Sequence, residues 1–137
     1  LDLSELLARH PDALRGKRIL VVEDEALVAM LVEDELADAG AEVIGPASSV
    51  DQALDLVERM AATGRGLHAA VLDINLQGTM VSPVADRLAE LGVPIVFATG
   101  YSHGCNRGAH GAAPLLMKPF GSDELIAAIE ELGAVAA

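Results

Sequence analysis

The chain has 137 residues, with 9 basic and 21 acidic side chains and a net charge of −12. That length supports one domain around one core rather than two. So acidic a surface repels phosphate backbones and anionic lipid, which argues against nucleic acid or membrane as a partner of this domain. Apolar residues make up 52% but aromatics only 2%, so the core must be built from Val, Leu, Ile, Ala and Met.

A single cysteine, Cys105, cannot close an internal disulfide and fits a reducing compartment. There is no basic-then-apolar leader, and no apolar run approaches the roughly 20 residues a bilayer requires, so the expected location is cytoplasmic. The chain opens on Leu1 rather than Met, as expected of a piece of a longer protein. Residues 1–17 carry a short helical pattern (Leu3, Leu6, Leu7) ended by His10-Pro11. They read as an N-terminal extension or linker helix ahead of a domain at 18–133, with a tail at 134–137.

Within the domain, short apolar runs alternate with longer amphipathic stretches. The first strand is Arg18–Glu23. A helix follows with Val28, Leu31, Val32 and Leu36 inward, closed by Gly40 in the C′ position. A second strand, Glu42–Gly45, leads into Ser49-Val50-Asp51-Gln52, a capping box; the helix behind it buries Ala53, Leu54, Val57, Met60 and Ala61. The third strand is Ala69–Asp73. Ser82-Pro83 offers an N-cap and a proline at N1 for a helix with Val84, Leu88 and Leu91 inward, ended by Gly92. Pro94–Thr99 and Leu115–Lys118 are the fourth and fifth strands. Ser122, with Asp123 and Glu124 in the first turn, caps a last helix whose stripe is Leu125, Ile129 and Leu132, and which Gly133 stops. Strands alternating with helices predict a parallel sheet covered on both faces, a doubly wound α/β domain.

One interval breaks the rhythm. Between Thr99 and Leu115 four glycines (Gly100, Gly104, Gly108, Gly111) each cost about 1 kcal/mol of helix stability against Ala. A fourth helix there is expected to be short or absent.

The chemistry gathers where the strands end. Ligands of parallel α/β sheets collect outside the carboxyl ends of the strands, and here those ends carry Glu23-Asp24, Asp73, Thr99 and Lys118. Three carboxylates brought together repel one another. A hard cation removes that conflict, and oxygen ligands without a His or Cys cluster favour Mg²⁺. A carboxylate nucleophile, a metal, an ammonium and a hydroxyl are the equipment for forming an acyl phosphate on an aspartate. The other chemistry-bearing residues are blander. His68 reads as the end of the second crossover, His10, His103 and His110 are scattered rather than spaced as metal ligands, and Gly45-Pro46-Ala47-Ser48-Ser49 lacks the lysine of a phosphate-binding loop.

From about Lys17 to Leu132 the sequence resembles a response-regulator receiver domain of two-component signalling. The signatures are VVEDE at Val21–Glu25, VLDINL at Val71–Leu76, FATG at Phe97–Gly100 and MKPF at Met117–Phe120. The resemblance implies a flavodoxin-like five-stranded sheet of order 2-1-3-4-5, and a signalling switch rather than a metabolic enzyme, its only catalysis being its own phosphorylation and dephosphorylation. It implies Asp73 as phosphoacceptor and metal ligand, Asp24 as direct metal ligand, Glu23 as a ligand through water and Asn75 as a ligand through its backbone carbonyl. Thr99 and Lys118 would hold phosphoryl oxygens, with a cis peptide before Pro119. The family's usual switch aromatic is replaced by Leu115, and Tyr101 is the candidate substitute. FATGY at Phe97–Tyr101 resembles the FAT GUY subgroup, which implies a histidine kinase or phosphotransfer protein, of HWE type, as partner. Three other readings stay open: an adaptor using the same pocket without turnover, a receiver from the end of a hybrid kinase, and a small phosphatase. The last is opposed by Asn75, which stands where such enzymes place a second acid.

Overall fold

A computed structural model describes residues 14–64, 66–76, 79–99, 113–117 and 121–136, with the backbone alone at 75–76, 79–80, 122 and 132–136. In chain order the elements are β1 (Arg18–Val22), α1 (Ala26–Asp38), β2 (Glu42–Ala47), α2 (Val50–Ala62), β3 (Ala69–Asp73), β4 (Asn75–Leu76), β5 (Thr79–Met80), α3 (Ser82–Glu90), β6 (Ile95–Thr99), β7 (Leu115–Met117) and α4 (Ser122–Ala136). Five strands form one parallel sheet in the order β2-β1-β3-β6-β7. Setting aside the two-residue ribbon of β4 and β5, this is the expected 2-1-3-4-5 order of a doubly wound α/β domain.

Alternation along the strands divides the core into two layers. Leu20, Val22, Ala70, Leu72, Ile95 and Phe97 pack with residues of α2 and α3. Ile19, Val21, Ala69, Val71 and Val96 pack with residues of α1 and α4. Every residue of β3 and β6 is buried, which is why these strands read as unbroken apolar runs until their last residues, Asp73 and Thr99.

The helix ends follow the local chemistry. Ser49 Oγ accepts the Gln52 amide at 3.2 Å, while Gln52 Oε1 accepts the Ser48 amide at 3.0 Å, so the reciprocal arm of the capping box reaches the residue before the cap. Gly40, at φ +93°, closes α1. Its N–H donates to the Ala37 carbonyl at 3.0 Å and the Ala41 N–H to the Leu36 carbonyl at 3.0 Å, the paired bonds of a Schellman motif.

Several expectations are corrected. Leu31, assigned to the inner stripe of the first helix, is 62% exposed, and the buried stripe is Ala29, Val32 and Leu36. Leu and Val at neighbouring helical positions satisfy the same apolar pattern, so periodicity alone chose the wrong flank. Leu91 is exposed and so is Ala61. The cap of α3 is Val81, with Ser82 already helical. Gly133 does not stop the last helix, which runs to Ala136; a single glycine costs about 1 kcal/mol and can be carried within a helix. The second strand extends two residues beyond Gly45, through a register shift against β1. The peptide bond before Pro46 is cis. The residues of the glycine-rich interval and the Lys118-Pro119 bond lie outside the described residues. So do residues 1–13 of the N-terminal stretch. Its end, Leu14–Lys17, forms a turn whose Leu14 is wholly buried.

Candidate functional site

The sheet itself assembles the candidate site. β1 and β3 are neighbours paired through Val22↔Leu72, so Glu23 and Asp73, each one residue further on, leave adjacent strands at the same level. β3 pairs with β6 through Asp73↔Ala98, and the Ile74 N–H donates to the Ala98 carbonyl at 3.1 Å, which places Thr99 at the same edge. Beyond it, Thr99 is in register with Met117 of β7, the residue before Lys118. Glu23 and Asp73 are only 5% and 6% exposed, and Thr99 is buried too. Glu23 and Asp73 are thus buried acids at the end of an otherwise apolar sheet, while Asp24 and Glu25, which follow Glu23, are half-buried and exposed.

A turn between β1 and α1 shapes the acidic wall. The Glu23 N–H donates to the Ala47 carbonyl at 2.9 Å, and Glu23 Oε1 accepts the Glu25 N–H at 3.2 Å. The carboxylates of Glu23, Asp24 and Glu25 lie with one oxygen of each within 4.8 Å of the others. Carboxylates that close repel one another unless a cation or donors intervene. Their all-oxygen donor set fits a hard divalent ion better than a soft one. Glu25 is the member of this group that sequence reasoning left out. It stands within the VVEDE signature, where it was given no role, and it is the N-cap of α1.

The predicted site residues therefore divide. Glu23, Asp24, Asp73 and Thr99 converge on one edge of the sheet, with the backbone of Asn75 two residues past Asp73 in β4. Asp73 is not one of the three acids whose oxygens lie within 4.8 Å of one another. Leu115 is half-buried, faces Phe97 across the β6–β7 pairing and packs against the α2–α3 layer. Lys118 and Tyr101 lie outside the described residues. Among the described residues a shallow apolar hollow of about 250 Å³, lined by Val57, Met60, Leu67, Leu91 and Val93 among others, opens beside the amino-terminal ends of β3 and β6. It lies away from the acidic edge and has no part in this chemistry. Among the described helices none is long and apolar enough to cross a membrane.

The profile of the response regulator receiver domain matches residues 19–130. The chain belongs to the receiver family. It is 32% identical over 126 residues to the transcriptional regulatory protein PdtaR of Mycobacterium tuberculosis, covering 87% of this chain and 58% of that protein. The receiver thus spans little more than half the length of that curated relative. Among solved structures it is similar to SdrG from Sphingomonas melonis, at 38% identity and a TM-score of 0.72, covering 88% of this chain and 97% of the other. It is also similar to the response regulator TrrA of Thermotoga maritima in complex with Mg²⁺ and BeF, at 29% identity and a TM-score of 0.69, covering 85% and 98% of the two chains. The receiver is thus a two-component signalling domain, and its relatives are response regulators rather than metabolic enzymes.

Proposed function

We propose that this receiver accepts a phosphoryl group on Asp73 from the phosphohistidine of a kinase or phosphotransfer protein, in a Mg²⁺-dependent reaction, and acts as a signalling switch in the cytoplasm. The observation that carries this reading is the placement of Asp73 at the same level as Glu23 on adjacent central strands, with the carboxylates of Asp24 and Glu25 gathered beside that of Glu23. In the transfer, a carboxylate oxygen of Asp73 attacks phosphorus, the P–N bond breaks as the P–O bond forms, and the imidazole leaves with the bonding pair and takes up a proton. Asp24, Glu23, Asp73 and the Asn75 carbonyl would hold the metal, whose chemistry is to neutralise charge spreading over the phosphoryl oxygens. Thr99 is assigned the donation of a hydroxyl hydrogen to one of those oxygens, and Lys118 the pairing with another. Self-catalysed hydrolysis by the same groups resets the domain.

The first helix supports a protein donor. Leu27, Met30 and Leu31, at spacings of three and four, are 58–77% exposed on α1, which begins immediately after Glu25. An apolar strip beside an acidic cluster suits docking of a partner's helix, with the transferring imidazole at its end. The FATGY string supports placing the receiver in the FAT GUY subgroup, with HWE-type kinases as donors and Tyr101 and Leu115 at the switch positions.

The test is direct. Wild-type protein incubated with Mg²⁺ and acetyl phosphate should gain the mass of one phosphoryl group, and Asp73→Asn should not. A gain that persists in Asp73→Asn would place the acceptor elsewhere. Wild-type protein that never takes phosphate yet binds a kinase would leave an adaptor.

A further inference from the structure

We infer that Gly45 is a positioning residue for the acidic wall: by letting β2 bulge, it brings Ala47 opposite Val22 and its carbonyl under the amide of Glu23. The inference rests on the Mg²⁺ reading of that wall. The β1–β2 register runs evenly from Arg18↔Glu42 to Leu20↔Ile44, but Val22 then faces Ala47. Two steps along β1 are thus matched by three along β2, the extra residue of a bulge. Gly45 has φ +104°, in the region that side-chain-bearing residues rarely adopt.

A Cβ at position 45 would lie 2.9 Å from the Val21 carbonyl oxygen and 2.9 Å from the Ala47 amide nitrogen. Both are backbone atoms and neither can rotate aside, so a side chain there must displace one strand or the other. Both lead to Glu23. Val21 precedes it by two residues, and Ala47 accepts its N–H at 2.9 Å. Glu23 in turn accepts the Glu25 N–H through Oε1, so a shift at Gly45 passes along one covalent and one hydrogen-bonded route into the turn that holds all three carboxylates. Bulges beside sites commonly re-aim a neighbouring group, and here the group re-aimed belongs to the adjoining strand.

The experiment compares Gly45→Ala with Gly40→Ala. The latter puts a methyl at the same kind of positive φ (+93°), 3.1 Å from backbone of Arg15, at the far end of β2. Mg²⁺ affinity is read from the rise of Tm with Mg²⁺ concentration, and the Glu23 amide from its hydrogen exchange with the Leu20 amide as reference. Gly45→Ala should bind Mg²⁺ about tenfold more weakly, as loss of an outer partner typically does, with faster Glu23 exchange. Gly40→Ala should lower the metal-free Tm and leave affinity at the wild-type value. Equal affinities in Gly45→Ala and wild type overturn the inference while leaving the Mg²⁺ reading intact. No Mg²⁺ effect on wild type removes the reading, and the inference with it. Should Gly45→Ala not fold in buffer, the titration is run with an excluded osmolyte; failure to fold there, with Gly40→Ala folded, shows a purely structural role and overturns the inference too.

Discussion

Arg18 and His68 exchange two hydrogen bonds across the amino-terminal edge of the sheet. The Arg18 N–H donates to His68 Nδ1 at 2.9 Å, and the His68 N–H donates to the Arg18 carbonyl at 2.8 Å. The side chain of Arg18 reaches the same loop, its Nε donating to the Gly66 carbonyl at 2.8 Å. His68 can accept at Nδ1 only while that nitrogen carries no proton. Partial burial, followed by the nearby charges of Arg18 and Lys17, holds its pKa below the usual 6.5.

This bond makes stability pH-dependent with a definite sign. A histidine whose folded pKa is depressed contributes stability that is fully present above the unfolded value of 6.5 and is lost as pH falls through that value toward the folded one. Wild-type Tm should therefore drop between about pH 7.5 and about pH 5.5. His68→Asn, which keeps an acceptor but does not titrate, should drop less. Thermal melts followed by circular dichroism compare the two slopes, and equal slopes would remove His68 as the source.

Substitutions on the first helix should separate its two faces. Leu36→Ala empties a wholly buried position between α1 and the sheet and should cost about 2–5 kcal/mol in urea unfolding. Leu31→Ala, on the solvent side, should stay within about 0.5 kcal/mol. The same Leu31→Ala should weaken kinase-driven phosphorylation of Asp73 without changing phosphorylation by acetyl phosphate, if the exposed strip receives the donor.

Charge removal from the acidic wall should act in opposite directions on stability and on metal binding. Without metal, Asp24→Asn relieves repulsion among carboxylates whose oxygens lie within 4.8 Å and should raise Tm. With Mg²⁺ present the same variant should bind more weakly by over the roughly tenfold that loss of an outer partner costs. Glu25→Gln should show the same pair of signs with smaller amplitudes. Melts with EDTA and with a Mg²⁺ series test both halves.

Helices α2 and α3 are joined through Arg87. Its Nε and an Nη donate to the two Glu58 oxygens at 2.6 and 2.9 Å, and the other Nη to Glu90 at 3.0 Å. The guanidinium holds the Glu58 carboxyl below its usual 4.5, so the pair's contribution is present above that value and fades as pH falls through the lower, folded one. Lysine cannot reproduce the two-pronged geometry. A double-mutant cycle on Arg87→Lys and Glu58→Gln should give a small favourable coupling that largely vanishes near 1 M salt.

How much was legible in the sequence depended on which residues had alternatives. Unbroken apolar runs such as Ala69–Leu72 admit little but a strand buried on both faces, and they placed the sheet and its carboxyl edge. Asp73 and Thr99 were visible through their joint placement with Glu23-Asp24 and Lys118 at four strand ends in chain order, since alone Asp73 suits a turn and Thr99 is an ordinary strand residue. The face of α1 was not legible, since Leu27, Met30, Leu31 and Val32 give helical periodicity on either flank, and only packing decides. The bulge at Gly45-Pro46 depends on the register between two strands and leaves no pattern within one segment. Glu25 stood in view next to Asp24, and what the sequence did not show is the turn, bonded from the Glu25 N–H to Glu23, that gathers its carboxylate with the other two.

Leu14 also sets where the molecule can be shortened. Its side chain is wholly buried among residues of α1 and the sheet, and its N–H is bonded to the Ala39 carbonyl at 2.9 Å. A version trimmed back to the first strand would open a void under α1 and strip a partner from the Schellman turn that ends it. The shortest fragment that keeps this corner sealed starts no later than residue 14, outside the span that the family profile covers.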